Sequence, residues 1–311
     1  MNVRIVRFHK ESTKQWDDLI ETSKNAVFLL NRSYLEYHED RFTDHSLLIF
    51  NKDKLVAVFP ANETTDIIYS HAGVTFAGLI LSRDVKAKDT LEILEKIKEY
   101  YKGLNFKELY YKAIPSIYHT YPGEEDLYAL FRNDAILYRR DISSVISLSD
   151  PIRFSETKRQ AISKCEKAGI TVSENNDFTG YWELLTSVLA KFSTTPVHTL
   201  GEIAYLKAVF PQYIRLFEAR LAGELLAGVV IYVYKHVVHT QYMANSATGR
   251  SIGALDFINS KLMTETFNDK KYYSFGISTE SGGKVLNEGL IQQKEMMGGR
   301  AIVNDFYKII L

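Results

Sequence analysis

The sequence predicts an α+β protein of two successive units, each a mixed, mostly antiparallel sheet flanked by helices. At 311 residues the chain exceeds one typical domain and can bury two cores. Runs with strand period and runs with helix period alternate in an order that occurs twice: hairpin, strand, glycine-bearing turn, helix, strand. The two occurrences keep a near-constant distance, Ile67 and Ile68 aligning with Val237 and Val238, which marks an internal repeat. Pro151 and its polar flanks interrupt the pattern, so the units are expected at 1–150 and 151–311.

The first unit opens on helical spacing, with Trp16, Leu19 and Ile20 on one face and a second helical run through Leu35, Tyr37 and His38. "SLLIFNKDKLVAVFPAN" reads as a hairpin around the NKDK turn. "DIIYSHAGVTFAGLIL" is a strand running into small residues and glycines. "DTLEILEKIKEYYKGL" places Leu91, Leu94, Ile97 and Tyr101 on one helical stripe, and "KELYYKAIP" closes the unit as a strand.

In the second half, "SETKRQAISKCEKAGI" is a basic helix capped by Ser155 and ended by Gly169. "YIRLFEARLAGELLAGVVIYVY" is a hairpin around LAGE, and "HVVHTQYMAN" a strand. "SATGRSIG" is read as a glycine-bearing turn, "ALDFINSKLMTETF" as a helix and "KKYYSFGIS" as a strand.

Composition narrows the function. Lysine plus arginine (38) equals aspartate plus glutamate (38), so no net field draws the chain to nucleic acid or anionic lipid. "MNVRIVRFHK" has no signal-peptide core and no apolar run nears the ~20 residues of a membrane span, so a cytoplasmic protein without membrane insertion is expected. The single cysteine, Cys165, has no disulfide partner and lies on a charged helix. His236 and His239, three apart on a strand, face opposite sides, and no metal site is expected.

The element order, with "YHEDRF" and "SHAGVTFAG" in the first half and "KRQAISKCEKAGI", "TPVHTLGEI" and "FGISTESGGKVLNEGLIQQKEMMGGR" in the second, resembles the GNAT acyltransferase superfamily in its tandem, FemX-like branch. Within that branch it is similar to a bacterial group of polysaccharide-locus acyltransferases. The resemblance implies an N-acyltransferase that moves a hydroxybutyryl or acetyl group from acyl-coenzyme A to the amine of a dTDP-linked amino-dideoxy sugar, for O-antigen, capsular or lipopolysaccharide synthesis. Which unit holds the donor is left open by the resemblance; the second is the expected one because its turn carries Arg250, which leaves the acceptor to the first. The resemblance further implies that two neighbouring strands, here Thr240 to Asn245 and Tyr273 to Ile277, part to admit the pantetheine arm beside Met243, Ala244, Asn245 and Tyr273. The pyrophosphate would meet the turn carrying Gly249, Arg250 and Gly253, although "RSIGAL" has Leu255 where the superfamily usually has Gly or Ala.

Acyl transfer to an amine needs the donor held, the carbonyl polarised and the ammonium deprotonated, the last best done by a group with a pKa near 7. His71, beside Ser70 and small neighbours, is the first candidate base, His198 the second and Glu280 the third. Protonating the departing thiolate is a task the resemblance gives to a tyrosine, and Tyr242, Tyr272 and Tyr273 qualify by location, Tyr242 being the one taken as catalytic. His38, Asp40, Arg41, Ser70, Lys158 and Arg159 are candidates for holding the sugar nucleotide, and Tyr34, Phe76 or Tyr118 for stacking on its base. A loop histidine, one tyrosine among 20 and a charged run at a helix end also occur for structural reasons alone. Two other functions fit the same sequence: an aminoacyl-tRNA-dependent transferase of cell-wall peptides, and a non-catalytic module that holds a nucleotide sugar.

Overall fold

The computed structural model describes residues 2–311. The chain forms two compact units: residues up to Asp141 with Ser281–Lys284 and Val303–Leu311, and Ile142–Glu280 with Val285–Ile302. The division falls after Asp141 and not at 150. The stretch before Pro151, to which the sequence reading gave no element, forms one continuous strand, Ile136–Ser147, and Pro151 lies just beyond its end.

In the first unit an antiparallel sheet sets Val3–Arg7 beside Leu47–Asn51, followed by Lys54–Phe59 and Ile80–Leu81. A second set of strands runs through Thr43–Asp44, Asn62–Glu63, Ile67–Tyr69, Glu108–Lys112 and the last residues of Arg300–Ile310. Ile67–Tyr69 and Glu108–Lys112 are parallel, so a crossover must join them, and the helix Ala87–Gly103 supplies it. That helix buries Ile93, Leu94, Ile97 and Tyr101 at three- and four-residue spacing, each worth ~1.5–3 kcal/mol of apolar transfer. Asp89 closes its first turn by accepting from the Lys86 backbone N–H at 3.1 Å.

The second unit orders its strands Thr171–Asn175, Ile214–Leu221, Glu224–Val233, Val237–Asn245, Tyr272–Ile277 and the end of Ile136–Ser147. The expected hairpin turns on Ala222 and Gly223, both left-handed (φ 49° and 87°), the two-residue form that matches strand twist. Val237–Asn245 and Tyr272–Ile277 are the parallel pair. Their crossover is the helix Ala247–Ile252, a break at Gly253 and the helix Ala254–Lys261, so "SATGRSIG" is mostly helical where a turn was expected. Ser246 accounts for the difference: its hydroxyl accepts from the Gly249 N–H at 3.0 Å and starts the helix early. Phe257, Ile258 and Leu262 pack on Val229, Ile231 and Val238 to form the core. Ser155 caps Glu156–Lys167 as expected.

Each unit thus contains a parallel strand pair with a helical crossover, and the chain has the mixed α+β architecture read from the repeat. Among the described residues no helix is long and apolar enough to cross a membrane.

Candidate functional site

In the second unit the two parallel strands pair at only three positions, Val237 with Tyr272, Val238 with Tyr273 and His239 with Ser274. Beyond that point they part. Two bulges lie there: Gln241 is the extra residue between the partners Thr240 and Tyr242 of the neighbouring strand, and Phe275 the extra residue between Ser274 and Gly276. A bulge bends its strand and ends regular pairing, so the two together open one edge of residues 241–245. The Thr240 hydroxyl donates to the Ser274 carbonyl at 3.3 Å where the main-chain ladder ends.

The parted end of Tyr272–Ile277 is held by a lysine from the helix Glu288–Glu295. Lys294 Nζ donates to the carbonyls of Gly276 (2.9 Å) and Ile277 (2.7 Å) and to the Ser278 hydroxyl (2.9 Å). Successive carbonyls of a regular strand point to opposite edges; Gly276, at φ 71°, turns the chain so that both reach one ammonium. No side-chain carboxylate is among these acceptors, and burial pulls the lysine down to about 8. Beside it His239, bonded through Nδ1 to the Ser274 hydroxyl at 3.1 Å, is brought down to about 4 by burial and by the Lys294 charge.

Past the opening, Asn245 ends the strand with its buried Oδ1 lacking a hydrogen-bond partner. Ser246 caps the following helix. The N–H groups of Ala247 and Thr248, in its first turn, have no acceptor within the helix. Arg250 is exposed on that helix. Gly249 serves packing: a β-carbon there would fall 2.0 Å from the Leu226 carbonyl oxygen. Gly253 takes the left-handed conformation that separates the two helices.

Several expected roles change with these surroundings. Tyr273 is fully buried, its hydroxyl bonded to Asn259 Oδ1 at 2.7 Å, so it is a core residue rather than a ligand contact. The Tyr242 hydroxyl sits 2.6 Å from His198 Nδ1, and burial pushes the phenol up to about 12, making it a weak acid for a thiolate. Glu280 is exposed and accepts from Asn287 Nδ2 at 2.7 Å. Lys158 is buried against Asp256 (2.7 Å) and Gln293 (2.8 Å), and Arg159 pairs with Glu156 and the Phe154 carbonyl.

In the first unit His71 sits at a strand end with φ 57°, a left-handed conformation unusual for histidine. Its ring lies parallel to His38 at 5.5 Å and beside Phe42. His71 is 2% exposed and its Nδ1 has no hydrogen-bond partner. Burial first, then His38, Lys112 and Arg32, bring the imidazole down to about 3. The expected base with a pKa near 7 is therefore a neutral imidazole throughout the physiological range. Lys112 Nζ donates to the carbonyls of His71 (3.2 Å), Ala72 (3.0 Å) and Val74 (2.7 Å), fixing the turn. Ser70 is buried and its hydroxyl accepts from the Lys112 N–H. Asp40 and Arg41 are exposed on the turn Glu39–Arg41. His71 lines a cleft of about 190 Å³ that also contains Arg32, Glu36, Phe42 and Asp44. Tyr34, Phe76 and Tyr118 are buried and offer no face to a base.

Sequence reasoning missed Lys294, Lys112 and the buried Arg32. Only Arg32, a cation inside the apolar "FLLNRSYL", left a visible signal.

No family model matches the sequence, and no curated protein matches it either. Solved structures do. The crystal structure of FemX superposes with a TM-score of 0.71 at 10% identity, over 98% of this chain and 97% of that one. The structure of L-PGS from Bacillus licheniformis gives 0.64 at 11% identity, over 95% and 91%. A tandem GNAT protein from the clavulanic acid biosynthesis pathway gives 0.50 at 9% identity, over 99% and 98%. At such identities the likeness is one of fold, and the chain has a GNAT-like, FemX-like fold over nearly its whole length.

Proposed function

We propose that the protein is an N-acyltransferase that moves a hydroxybutyryl or acetyl group from acyl-coenzyme A to the amino group of a dTDP-linked amino-dideoxy sugar in surface polysaccharide synthesis. The observation that carries the donor half is the parting of the parallel strands after His239 and Ser274, which leaves the 241–245 edge without a strand partner on that side. An extended amide-bearing arm can pair with such an edge. The residues there suit a coenzyme A thioester: backbone groups of Met243 and Ala244, the unpartnered Asn245 carboxamide, and the first-turn N–H groups of the next helix, with Arg250 supplying a full charge for the pyrophosphate.

In the transfer the amine lone pair forms the new C–N bond at the thioester carbonyl, the C–S bond breaks, and the thiolate leaves to be protonated by solvent. Backbone N–H groups at the parted edge would bind the carbonyl oxygen as it gains charge; removing one such donor typically costs ~10²–10³ in rate. With its imidazole held down to about 3, His71 is too weak a base to take the ammonium proton, which passes to water or to the substrate's own phosphate, and His71 with His38, Asp40 and Arg41 would orient the sugar.

The aminoacyl-tRNA-dependent alternative draws support from the higher superposition on FemX than on the tandem GNAT protein. A thermal-shift titration with acetyl-coenzyme A, 3-hydroxybutyryl-coenzyme A and free coenzyme A, with and without dTDP, separates the readings. About 100-fold excess over Kd should stabilise by ~2.7 kcal/mol. Stabilisation by both an acyl-coenzyme A and dTDP supports the sugar transferase. Stabilisation by dTDP alone indicates a binding module, and by neither directs attention to aminoacyl-tRNA.

A further inference from the structure

The cleft in the first unit has an ionic floor that no expected role explains. Arg32 is 2% exposed, its guanidinium lying over the Phe8 ring at 3.7 Å. It donates to Glu36 Oε1 at 3.0 Å, Asp44 Oδ2 at 2.8 Å and the Ser46 hydroxyl at 3.3 Å. One cation thus faces two carboxylates, and the Arg32 backbone N–H binds a third, Asp17. At the rim Lys10 and Glu39 face each other at 3.5 Å and balance, and Arg7, whose guanidinium donates to the Asp44 main-chain carbonyl, is matched by Glu63 at 3.6 Å. Glu36 and Asp44 both line the cleft and are partly exposed there.

A second observation is independent of this charge count. His71, on the cleft wall, is buried and its Nδ1 has no hydrogen-bond partner, and a buried polar atom left in this way marks a place where a ligand or solvent group belongs. Held down to about 3, the ring adds no positive charge to the cleft.

The geometry points to a binding site for a protonated primary amine in this cleft, with Glu36 as the charged partner and His71 as the neutral one. The Arg32, Glu36 and Asp44 cluster keeps one uncompensated negative charge, which an ammonium neutralises and an alcohol or amide does not. Arg32 prepares the site by fixing Glu36 with one oxygen bound, leaving the rest of the carboxylate for the ligand. The reading of the acceptor as an amino sugar supplies the ligand's identity, and in that respect the inference rests on it; the amine would then be recognised as its cation before it gives up a proton.

The test is equilibrium binding by saturation-transfer NMR with glucosamine, glucose and N-acetylglucosamine as probes of the whole protein. Glucosamine should bind about two- to fivefold more tightly than either neutral sugar, as one partly exposed ion pair gives. Glu36→Gln should reduce that preference to near unity while leaving glucose binding as it was. Should Glu36→Gln fold poorly, the wild-type preference compared at low and half-molar salt decides the same question, because an ionic preference shrinks with screening. Equal binding of the three sugars, no saturable binding of glucosamine, or a preference that survives both Glu36→Gln and salt would overturn the inference. An amine preference in a protein that binds no acyl-coenzyme A would keep the cleft and remove the transferase reading, so the two fail separately.

Discussion

The two units each set a lysine against backbone carbonyls, and they use it differently. Lys112 reaches from a strand to the carbonyls of His71, Ala72 and Val74 and fixes a left-handed turn. Lys294 reaches from a helix to Gly276, Ile277 and Ser278 and holds a strand end where its parallel neighbour has departed. Burial lowers both ammonium groups to about 8. Each stands near an imidazole that burial keeps neutral with the lysine's charge adding to the effect, His71 at about 3 and His239 at about 4. An ammonium has three donors in a compact head, so one lysine can gather carbonyls that a sheet would otherwise pair. In the first unit this shapes the wall of a cleft, in the second the opening of a strand pair.

The largest expected difference between them is in stability. Lys294 is 5% exposed and two of its acceptors are carbonyls of a strand within the sheet; Lys294→Met should cost ~2–5 kcal/mol, since each buried carbonyl left without a donor costs ~1–3 kcal/mol. Lys112 is half-buried, and of its three acceptors the Ala72 carbonyl belongs to an exposed residue and keeps access to water, so Lys112→Met should cost ~1–2 kcal/mol. Urea unfolding at neutral pH measures both. Equal losses would mean that the two lysines do the same work and would erase the distinction between the units. Lys294→Met should also weaken acyl-coenzyme A binding by at least ~10-fold, whereas Lys112→Met should leave it unchanged.

The acid side of the stability curve gives a smaller effect. Both imidazoles have folded pKa values below the unfolded ~6.5, so between the two values the folded chain binds fewer protons than the unfolded one. The stability they contribute is full above about 6.5 and falls with acidity until the folded values are passed, by ~1.4 kcal/mol per pH unit for each ring and about 2 kcal/mol each at pH 5. His45 and His119, also lowered by burial, add to the slope. In chemical unfolding at pH 7 and pH 5, His239→Asn and His71→Asn should each remove about one proton's worth of the wild-type loss. An unchanged slope in either would show that its ring is already solvated.

Sequence reading found the elements that apolar periodicity writes: both hairpins, the crossover helix Ala87–Gly103 and the parallel strands. It missed Ile136–Ser147 because Arg139, Arg140 and Asp141 break the strand's alternation; the ion pairs Arg140–Asp305 and Arg139–Asp141 explain how the sheet accepts them. Lys112 and Lys294 were illegible for a different reason. Their partners are main-chain carbonyls, and no side-chain pattern records where carbonyls converge. Gly249 was seen but given a phosphate role, because a glycine required by the neighbouring Leu226 carbonyl looks the same in sequence as one left open for a ligand. His71 was located correctly at a strand end, yet its charge state depends on burial and on His38, Lys112 and Arg32, which come together only in the fold.

Gly276 gives the finest test of the comparison. At φ 71° it lets two successive carbonyls face Lys294, and a β-carbon there would lie 3.2 Å from the His239 ring. Gly276→Ala should therefore cost ~1–2 kcal/mol, from left-handed strain plus a contact that the imidazole relieves by a small shift. His71 already holds a similar conformation without being glycine, since the Lys112 bonds to its turn offset the strain. If lysine anchoring is what sustains such backbone in both units, Gly276→Ala should cost more in the Lys294→Met background than while Lys294 is present. A double-mutant cycle reads this directly as a coupling of ~0.5–3 kcal/mol. Strict additivity would show that Gly276 and Lys294 act separately, and that only the first unit uses an ammonium to hold a strained turn.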